Sequence, residues 1–282
     1  MNREEQVWFI SGCSTGFGKA LAIAVLERGY KAVMTARKMS DLDEVLTQYP
    51  GQAKGLILDL ENHAQIVSAA SDAIAAFGRI DVLVNNAGIG YFSSAEEADM
   101  QIVRKMFEVN FFGLTELTSL ILPQMRKQKS GHIMNVSSIG GLVGFPAVSF
   151  YNATKFAVAG YSEALAKETA HLNIKVTVVC PSGFRTDWAG RSAFETPVQI
   201  EDYAPSAGAN AEAIRSRSGK QPGDPVAAAQ AMIKAYEATK PPLYLMLGAG
   251  ALNGARKKLE DYAVDFDAWA DTSLGADVPL SA

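Results

Sequence analysis

The sequence predicts an α/β fold in which one doubly wound parallel sheet carries helices on both faces. Segments typical of strands alternate about six times with segments typical of helices between residues 7 and 179. The strand segments, such as Val7-Trp-Phe-Ile, are nearly continuous apolar runs, which is typical of parallel strands buried on both faces. Right-handed crossovers then give a Rossmann-like sheet. With 282 residues, 48% of them hydrophobic, the chain can bury a substantial core, and we expect a single domain over residues 1–282.

The individual elements follow from the spacing of apolar residues and from turn residues. Apolar runs predict strands over residues 7–11, 31–35, 55–58, 80–84, 133–136, 175–179 and 243–247. Helical spacing predicts helices over residues 16–28, 41–48, 64–77, 100–127, 151–171 and 225–236, then a helix and a tail over about 250–282. Gly29 and Gly78 are natural helix ends, and we expect Gly113 and Pro123 to interrupt the long fourth helix. Residues 184–222 lapse into Gly, Ala, Ser and Pro, which predicts a lid or a disordered loop.

Charge and cysteine content narrow the class of protein. A net charge of −4 and a pI near 5.5 give no basic surface, so we do not expect nucleic acid as a partner. Cys13 and Cys180 have neither disulfide nor metal spacing and indicate free thiols in a reducing compartment. His63, His132 and His171 are scattered, so we expect no metal site. Without a leader segment or an apolar run of about 18 residues, the sequence predicts a cytoplasmic protein that does not contact membranes.

Tyr151 and Lys155 stand four residues apart at the start of a predicted helix, so their side chains share one face. A nearby ammonium favours the phenolate and lowers the pKa of a tyrosine, which makes it a usable proton donor or acceptor near neutral pH. The same spacing is also a common surface pair in helices. Ser138 ends a predicted strand thirteen residues before Tyr151, so two hydroxyls are expected to converge on one small polar group. Its neighbour Ser137 faces the opposite side of the strand, and only one of the two can reach the site.

A glycine-rich turn joins the first predicted strand to the first predicted helix. Its sequence, Ser11-Gly-Cys-Ser-Thr-Gly-Phe-Gly, has the spacing G-x-x-x-G-x-G, not G-x-G-x-x-G. Gly12 permits a tight turn, while Gly16 and Gly18 allow backbone, ligand and helix to approach closely. The free amides of the helix N-terminus suit a pyrophosphate. An ordinary strand–helix turn is the alternative, but the place of this loop in the first βα unit favours a dinucleotide cofactor.

The end of the second predicted strand indicates which dinucleotide binds. An acidic residue at this point would hold a ribose 2′-hydroxyl. The strand instead ends Thr35-Ala-Arg-Lys, and Arg37 can pair with a 2′-phosphate. Two solvated surface cations are the alternative, which leaves the missing acid unexplained. The sequence therefore favours NADP(H) over NAD(H).

These motifs resemble those of the short-chain dehydrogenases/reductases, in the compact single-domain branch that includes carbonyl reductases. The match runs in order from about Val7 to Thr186. Ser138, Tyr151 and Lys155 fit the catalytic set of the family, and Asn110 matches its helix asparagine. The resemblance implies that the cofactor contacts Gly12, Ser14, Thr15, Gly16, Phe17, Gly18, Arg37, Asp59, Leu60, Asn85, Ala87, Gly88, Tyr151, Lys155, Pro181, Gly183 and Thr186.

The resemblance also implies a reaction, which is hydride transfer between the nicotinamide and a carbonyl or alcohol carbon. Ser138 and Tyr151 are expected to hydrogen-bond the substrate oxygen, with Tyr151 as the proton donor in the direction of reduction. Lys155 is expected to lower the pKa of Tyr151 and to hold the nicotinamide ribose. Asn110 is expected to position a water that relays protons. One departure from the family pattern is Ser182, because the family usually has glycine directly after the proline at this point.

Aromatic residues around the expected site indicate a medium-sized hydrophobic ketone or aldehyde in preference to a sugar or a charged acid. The candidate wall residues are Tyr91, Phe92, residues 139–145, Phe184, Trp188 and Tyr203. The same aromatics could equally be core or an oligomer contact. Since members of the family commonly pair helices from the long fourth helical region, we expect a homo-oligomer, a dimer or a tetramer, with Phe111, Phe112 and Leu114 at the contact.

Three alternative functions stay open at this point. A 3-oxoacyl thioester reductase would need basic residues at its entrance, which Arg185, Arg191, Arg215 and Arg217 could supply. The larger sugar-nucleotide branch of the family is disfavoured by the glycine spacing and by the short C-terminal part. A non-catalytic NADP(H)-binding regulator is disfavoured because the complete catalytic set is present.

Overall fold

The computed structural model of the protein describes residues 3–278. Its strands are β1 Val7–Ile10, β2 Lys31–Ala36, β3 Ala53–Ile57, β4 Val82–Asn85, β5 Gly90–Phe92, β6 Gly131–Val136, β7 Ile174–Pro181, β8 Ala193–Glu195 and β9 Tyr244–Leu247. Its α-helices are α1 Gly16–Glu27, α2 Asp43–Gln48, α3 His63–Phe77, α4 Met100–Phe107, α5 Gly113–Gln128, α6 Ser149–Thr169, α7 Ala209–Ser216, α8 Pro225–Glu237, α9 Ala249–Ala268 and α10 Ala270–Leu274. None of the helices in this range is long and apolar enough to cross a membrane.

Seven strands form one parallel sheet in the order β3-β2-β1-β4-β6-β7-β9. Phe9 of β1 pairs with Val33 of β2 on one side and with Leu83 of β4 on the other. The chain thus moves outward from β1 in one direction and then outward from β4 in the other. The predicted doubly wound sheet is confirmed. In such sheets the ligand site lies outside the carboxyl ends of the strands at the point where the order reverses, here between β1 and β4.

Helices cover both faces of this sheet, and each face has its own hydrophobic core. Within β1, Trp8 and Ile10 face one core and Val7 and Phe9 face the other, because successive side chains of a strand point to opposite faces. Residues of α1 and α8 complete the first core, whereas residues of α3 and α5 complete the second. Each side chain of β1 is fully buried, which explains why the strand is a continuous apolar run.

The long helical region has only one of the two predicted interruptions, the one at Gly113. Pro123 lies inside α5 without ending it. The proline removes one backbone hydrogen bond, and the burial of Leu117, Ile121 and Met125 on the same helix holds α5 together across it. The break at Gly113 takes the form of a π-helical turn over Glu108–Phe112, which joins α4 to α5.

The lid segment, residues 184–222, is folded against the body, so the alternative of a disordered loop is wrong, and its action as a lid stays a prediction. It contains β8 and α7, and β8 pairs in parallel with β5, a strand that the sequence pattern does not predict. The Tyr91 hydroxyl lies 2.6 Å from the Thr196 hydroxyl and accepts a hydrogen bond from the Asp99 backbone amide. Elements as short as β5 and β8 carry no periodic signal of their own and are stabilised by these tertiary contacts.

His132 in β6 is a buried, neutral histidine. Its Nε2 lies 2.9 Å from the Thr177 hydroxyl, which donates its own proton to the carbonyl of Pro242. Because that hydroxyl proton is already used, Nε2 of His132 must carry the proton of their shared hydrogen bond. Burial lowers the pKa of His132 to about 4, and the nearby charge of Lys175 acts in the same direction.

We expect acid to destabilise the fold through His132. As the pH falls from about 6.5 to about 4, the unfolded chain binds a proton here and the folded chain does not, so stability present above pH 6.5 is lost. The difference between the pKa in the unfolded chain, 6.5, and that in the folded chain, about 4, corresponds to about 3 kcal/mol of unfolding free energy. Urea unfolding at pH 7 and pH 4 measures this loss, with His132→Gln as a variant that does not titrate. If wild type loses no more stability than the variant between these pH values, the prediction is wrong.

Candidate active site and cofactor loop

The glycine loop between β1 and α1 lies at the carboxyl edge of the sheet and is closely packed. Gly12 has φ +73°, and a Cβ on it would lie 2.9 Å from the Cα of Ala87. A Cβ on Gly18 would lie only 2.1 Å from the carbonyl oxygen of Gly12. Any side chain at either position would push the loop away from β4 and from α1. The glycines therefore create a space that backbone amides line.

Hydrogen bonds between this loop and the residues directly after β4 hold the loop in place. The hydroxyl of Ser11 accepts hydrogen bonds from the backbone amides of Asn86 and Ala87, at 3.0 and 3.1 Å. The side-chain amide of Asn86 donates to the carbonyls of Ser11 and Gly12, at 2.9 and 3.0 Å. Asn86 and Ser11 belong to the motifs found in the sequence but are not among the predicted site residues. Their position directly after two neighbouring parallel strands is the feature that could have identified them.

Asn85 was predicted to contact the cofactor, but its side chain points away from the loop. Its amide donates to the Thr118 hydroxyl at 2.9 Å and to Oδ1 of Asn135 at 2.8 Å. Asn135 in turn donates to the hydroxyl of Ser162. Because adjacent residues of a strand face opposite sides, Asn86 can reach the loop only if Asn85 turns into the interior. The Asn85 side chain belongs to a buried polar network, and a contact of this residue with the cofactor stays a prediction.

The first turn of α1 and the start of the lid segment contact each other. A Cβ on Gly16 would lie 3.3 Å from the Cβ of Thr186, and the rings of Phe17 and Phe184 meet edge to face with centroids 4.9 Å apart. Thr15 is the N-cap residue of α1, and Ser14 beside it is half-buried. Among the described contacts, the Thr15 side chain makes no capping bond to the helix. The amides of this helix end can therefore bind an anionic group.

Arg37 lies at the edge of this space with its side chain exposed. It follows β2 directly, two residues after Thr35, whose hydroxyl accepts a hydrogen bond from the Gly12 amide at 3.2 Å. The guanidinium is thus carried by the strand that supports the glycine loop. Asp59 follows β3 and accepts a hydrogen bond from the Glu61 amide, while the neighbouring Leu60 is buried. These predicted residues all lie at the carboxyl ends of adjacent strands.

Ser138, Tyr151 and Lys155 come together beside the glycine loop. Ser138 follows β6, and Tyr151 lies in the first turn of α6. The Ser138 hydroxyl lies close enough to that of Tyr151 to lower its pKa. Gly140 lies between them, since a Cβ on it would be 3.4 Å from Oγ of Ser138 and 3.6 Å from Cε1 of Tyr151. Ser137 faces the other side and donates to the carbonyl of Lys155 at 2.9 Å, as the alternation of strand side chains predicts.

Lys155 lies one helical turn after Tyr151, and a backbone carbonyl holds its side chain in place. Its ammonium donates to the carbonyl of Val136 at 2.8 Å and lies 5.7 Å from the centroid of the Tyr151 ring. A Cβ on Gly88 would lie 3.6 Å from this Nζ and 3.2 Å from Oδ1 of Asn110. The end of β4, the start of α6 and the π-helical turn thus meet at Gly88.

The pKa values of this cluster differ from the sequence-based expectation. Burial raises the pKa of Tyr151, although the nearby hydroxyl of Ser138 acts in the opposite direction. Burial also lowers the pKa of Lys155, to about 8. The pKa of Tyr151 is thus raised and not lowered as expected, because burial disfavours the phenolate. Tyr151 is a protonated phenol at neutral pH, and Lys155 is an ammonium below about pH 8.

Asn110 occupies the middle of the π-helical turn and is fully buried. Its side chain accepts from the amide of Ile89 at 2.8 Å and donates to the Ile89 carbonyl at 2.9 Å and to the Thr154 hydroxyl at 3.1 Å. These bonds tie the turn to the chain after β4 and to α6. The extra residue of a π-turn shifts the helix register, a feature frequent at functional sites. The structure thus brings Asn110 next to Lys155, as a relay through Asn110 would require.

The segment after β7 accommodates the departure at Ser182. The Ser182 amide donates to the carbonyl of Leu247 at 3.0 Å, and a Cβ on Gly248 would lie 2.5 Å from the Ser182 hydroxyl. Serine therefore fits here because glycine stands opposite, at the start of α9. Pro181 ends β7, and Gly183 is exposed. Cys180 is fully buried just before them and accepts a hydrogen bond from the Ser138 backbone.

Trp188 covers Tyr151 from the lid side. Its ring centroid lies 4.7 Å from that of Tyr151 and 5.7 Å from that of Phe92. Beyond Phe92 is a cavity of about 580 Å³. Its lining includes Phe92, Val198, Ala211, Glu195, Glu212 and Arg215. Among the predicted wall residues, Tyr91 and Phe92 are fully buried, and Tyr203 is held at the surface by Glu96.

Residues 3–278 contain no group of three or more His, Cys, Asp or Glu side chains placed to hold a metal ion. The cluster itself offers a phenol, a hydroxyl and an ammonium beside a glycine loop. These groups can hold and protonate an oxygen atom.

Comparison with known proteins agrees with this arrangement. The sequence model described as "short chain dehydrogenase" matches residues 6–195. The oxidoreductase BOA17 of Botryotinia fuckeliana is 37% identical over 96% of this chain and 99% of its own length. The 3-ketodihydrosphingosine reductase of Bacteroides thetaiotaomicron is 41% identical over 72% of this chain and 73% of its own length.

Solved structures show the same fold. A short-chain dehydrogenase from Streptomyces avermitilis superposes with a TM-score of 0.92 at 37% identity, covering 98% of this chain and 100% of that one. A metagenomic short-chain oxidoreductase in complex with NADP has a TM-score of 0.60 at 31% identity, covering 64% of this chain and 84% of that one. The chain belongs to the short-chain dehydrogenase/reductase family and is an oxidoreductase of that family.

Proposed function

We propose that the protein is an NADP(H)-dependent carbonyl reductase that acts on a medium-sized hydrophobic ketone or aldehyde. The convergence of Ser138, Tyr151 and Lys155 beside the glycine loop carries this proposal. A phenol and a second hydroxyl that face the same space are suited to hold a carbonyl oxygen and to give it a proton.

The roles of the residues follow from their protonation states. NADP(H), when bound, supplies the hydride that adds to the carbonyl carbon. Ser138 and Tyr151 hydrogen-bond the substrate oxygen, and Tyr151 gives it a proton, so that a carbonyl becomes an alcohol. Lys155, charged below about pH 8, stabilises the resulting phenolate and holds the ribose. Asn110 connects this cluster to the chain after β4 through its bonds to Ile89.

The glycine loop and Arg37 support the choice of cofactor. The space kept open by Gly12, Gly16 and Gly18 lies at the N-terminus of α1, which suits a pyrophosphate. Arg37 is an exposed cation two residues beyond Thr35, where a 2′-phosphate would lie in a dinucleotide that follows this fold. A relative of known structure, 31% identical, is described as a complex with NADP. We propose NADP(H) in preference to NAD(H).

Aromatic residues beside the catalytic cluster support a hydrophobic substrate. The ring of Trp188 packs against those of Tyr151 and Phe92, and the 580 Å³ cavity lies on the far side of Phe92. A relative named as a reductase of 3-ketodihydrosphingosine, a ketone, is consistent with this substrate class. The buried free thiols of Cys13 and Cys180 fit a reducing compartment such as the cytoplasm.

The 3-oxoacyl thioester alternative is less well supported. It needs free basic residues at the entrance for an acyl carrier. In the lid segment, however, Arg191 pairs with Asp187 at 3.2 Å and Arg215 pairs with Glu195 at 2.6 Å. Two of the four candidate arginines thus have their charge partly neutralised by neighbouring carboxylates.

Consumption of NADPH with a panel of carbonyl compounds tests the proposal. We expect aryl, cyclic and long-chain ketones to show a kcat/KM at least about tenfold above that of acetoacetate, because a charged acid would lose its hydration against Trp188 and Phe92. An acyl-carrier-linked 3-oxoacyl thioester serves as the comparison for the alternative. Turnover of that thioester alone, or of no compound in the panel, would refute the proposed substrate class.

A further inference from the structure

The C-terminal helix α9 leaves the body of the protein with a row of large apolar side chains exposed. Its first turns contact the core, since Ala251 is buried and a Cβ on Gly254 would lie 3.3 Å from Ile139. Further along, Leu259 is 69% exposed, Phe266 is 66% exposed and Trp269, directly after the helix, is 65% exposed. A helix that buries so little of its apolar surface in its own chain is suited to pack against another molecule.

The apolar residues of α9 have the spacing of a coiled coil. They recur at alternating steps of three and four residues: Leu252, Ala255, Leu259, Tyr262, Phe266 and Trp269. These are the a and d positions of two and a half heptads, which form a single seam along one side of a helix. Val264 is also exposed, but it lies at an f position on the other side of the helix.

We propose that α9 pairs antiparallel with α9 of a second copy of this chain, forming a two-fold symmetric dimer contact. In the register with the greatest overlap, each a position faces a d position of the second copy. Leu259 then lies opposite Tyr262, Leu252 opposite Trp269, and the small Ala255 opposite the large Phe266. The small Ala255 leaves room for the large Phe266, as close packing requires.

The charges beside the seam fit the same antiparallel register. Lys258 and Asp265 occupy successive g positions, which face each other in antiparallel coiled coils. The two-fold axis therefore places Lys258 of each copy next to Asp265 of the other, and two ion pairs form. Such surface pairs add little affinity, but they select one orientation. A parallel pair would set Lys258 beside Ala263 and Ala255 against Ala255, so it would lack both the ion pairs and the packing.

The charge of this segment also argues against a lipid surface as the occupant. Residues 260–277 carry six acidic side chains and no lysine or arginine. Anionic membranes attract basic segments and repel acidic ones. A second copy of the chain, which brings Arg256, Lys257 and Lys258 to this acidic end, is the complementary partner.

The mass of the full-length protein in solution, measured by light scattering on a sizing column, tests this contact. We expect Phe266→Glu to halve the mass of the wild-type assembly, because it places a charge within the apolar seam, opposite Ala255. Val264→Glu, an equally exposed position off the seam, should leave the mass unchanged. A wild-type monomer at micromolar concentration, an unchanged mass for Phe266→Glu, or the same loss for Val264→Glu would each overturn the proposal.

A charge exchange tests the orientation. Lys258→Glu alone and Asp265→Lys alone each place like charges against each other and should weaken dimerisation severalfold. The double variant restores opposite charges across the two-fold axis, and we expect its dissociation constant to return toward that of the wild type. A double variant at least as weak as the single ones would exclude the antiparallel register. NADPH turnover in the same samples reports whether each variant is folded.

Discussion

Replacing Tyr151 with phenylalanine is expected to lower kcat by about 10³-fold, because the variant loses the group that gives its proton to the substrate oxygen. The ring itself remains, so its contact with Trp188 at 4.7 Å is kept. Cofactor binding should change little, since no contact of the glycine loop is removed. Steady-state turnover with the best ketone of the panel and a fluorescence titration with NADPH measure the two effects separately.

Tyr161→Phe is the matched control for this substitution. Tyr161 lies on the same helix, and its hydroxyl is near Thr118 and not near Ser138. Removing it takes away one tyrosine hydroxyl from α6 without touching the proposed proton donor. Near-normal turnover of Tyr151→Phe, or an equal loss in Tyr161→Phe, would show that Tyr151 does not donate the proton.

Arg37→Ala is expected to weaken the binding of NADPH by about 10- to 100-fold and to leave NADH nearly unaffected. Hydrogen bonds to a charged group contribute about 1.5–3 kcal/mol each, and only NADPH has the 2′-phosphate that would accept them. Arg37 is exposed and follows the strand that supports the glycine loop, so its loss should not disturb the fold. Dissociation constants for both cofactors, measured at one fixed salt concentration, give the ratio directly.

Lys54→Ala provides the control for general charge effects. Lys54 is also an exposed cation, but it lies near the amino end of β3, away from the carboxyl edge of the sheet. A contribution from overall charge would affect both variants alike. Equal weakening of NADPH and NADH in Arg37→Ala would contradict the role of the 2′-phosphate.

Much of the fold could be predicted from the sequence because it depends on short-range patterns. Continuous apolar runs such as Val7–Ile10 indicated strands buried on both faces, and the parallel sheet confirms this. The stretch after Ile10 indicated a glycine loop by its residue types alone. Tyr151 and Lys155 could be placed on one helix face because four residues make about one turn.

Other features could not be predicted, because they depend on which segments meet in space. The sequence does not say which of Asn85 and Asn86 turns toward the glycine loop, since that depends on which face of β4 is covered by α5. Asn110 lies in a π-helical turn that no local pattern distinguishes from an α-helix. The strand β5 is defined only by its pairing with β8, a hundred residues further along the chain.

The sequence by itself determined the order of the elements, the parallel sheet and the residue types at its carboxyl edge, because these follow from periodicity and from near neighbours. Only the tertiary structure decided the protonation of the site and the surface that α9 leaves exposed. The pKa of Tyr151 is raised, although Lys155 lies one turn away. Burial is a property of all the segments packed around a group, and here it is the main cause of the raised pKa.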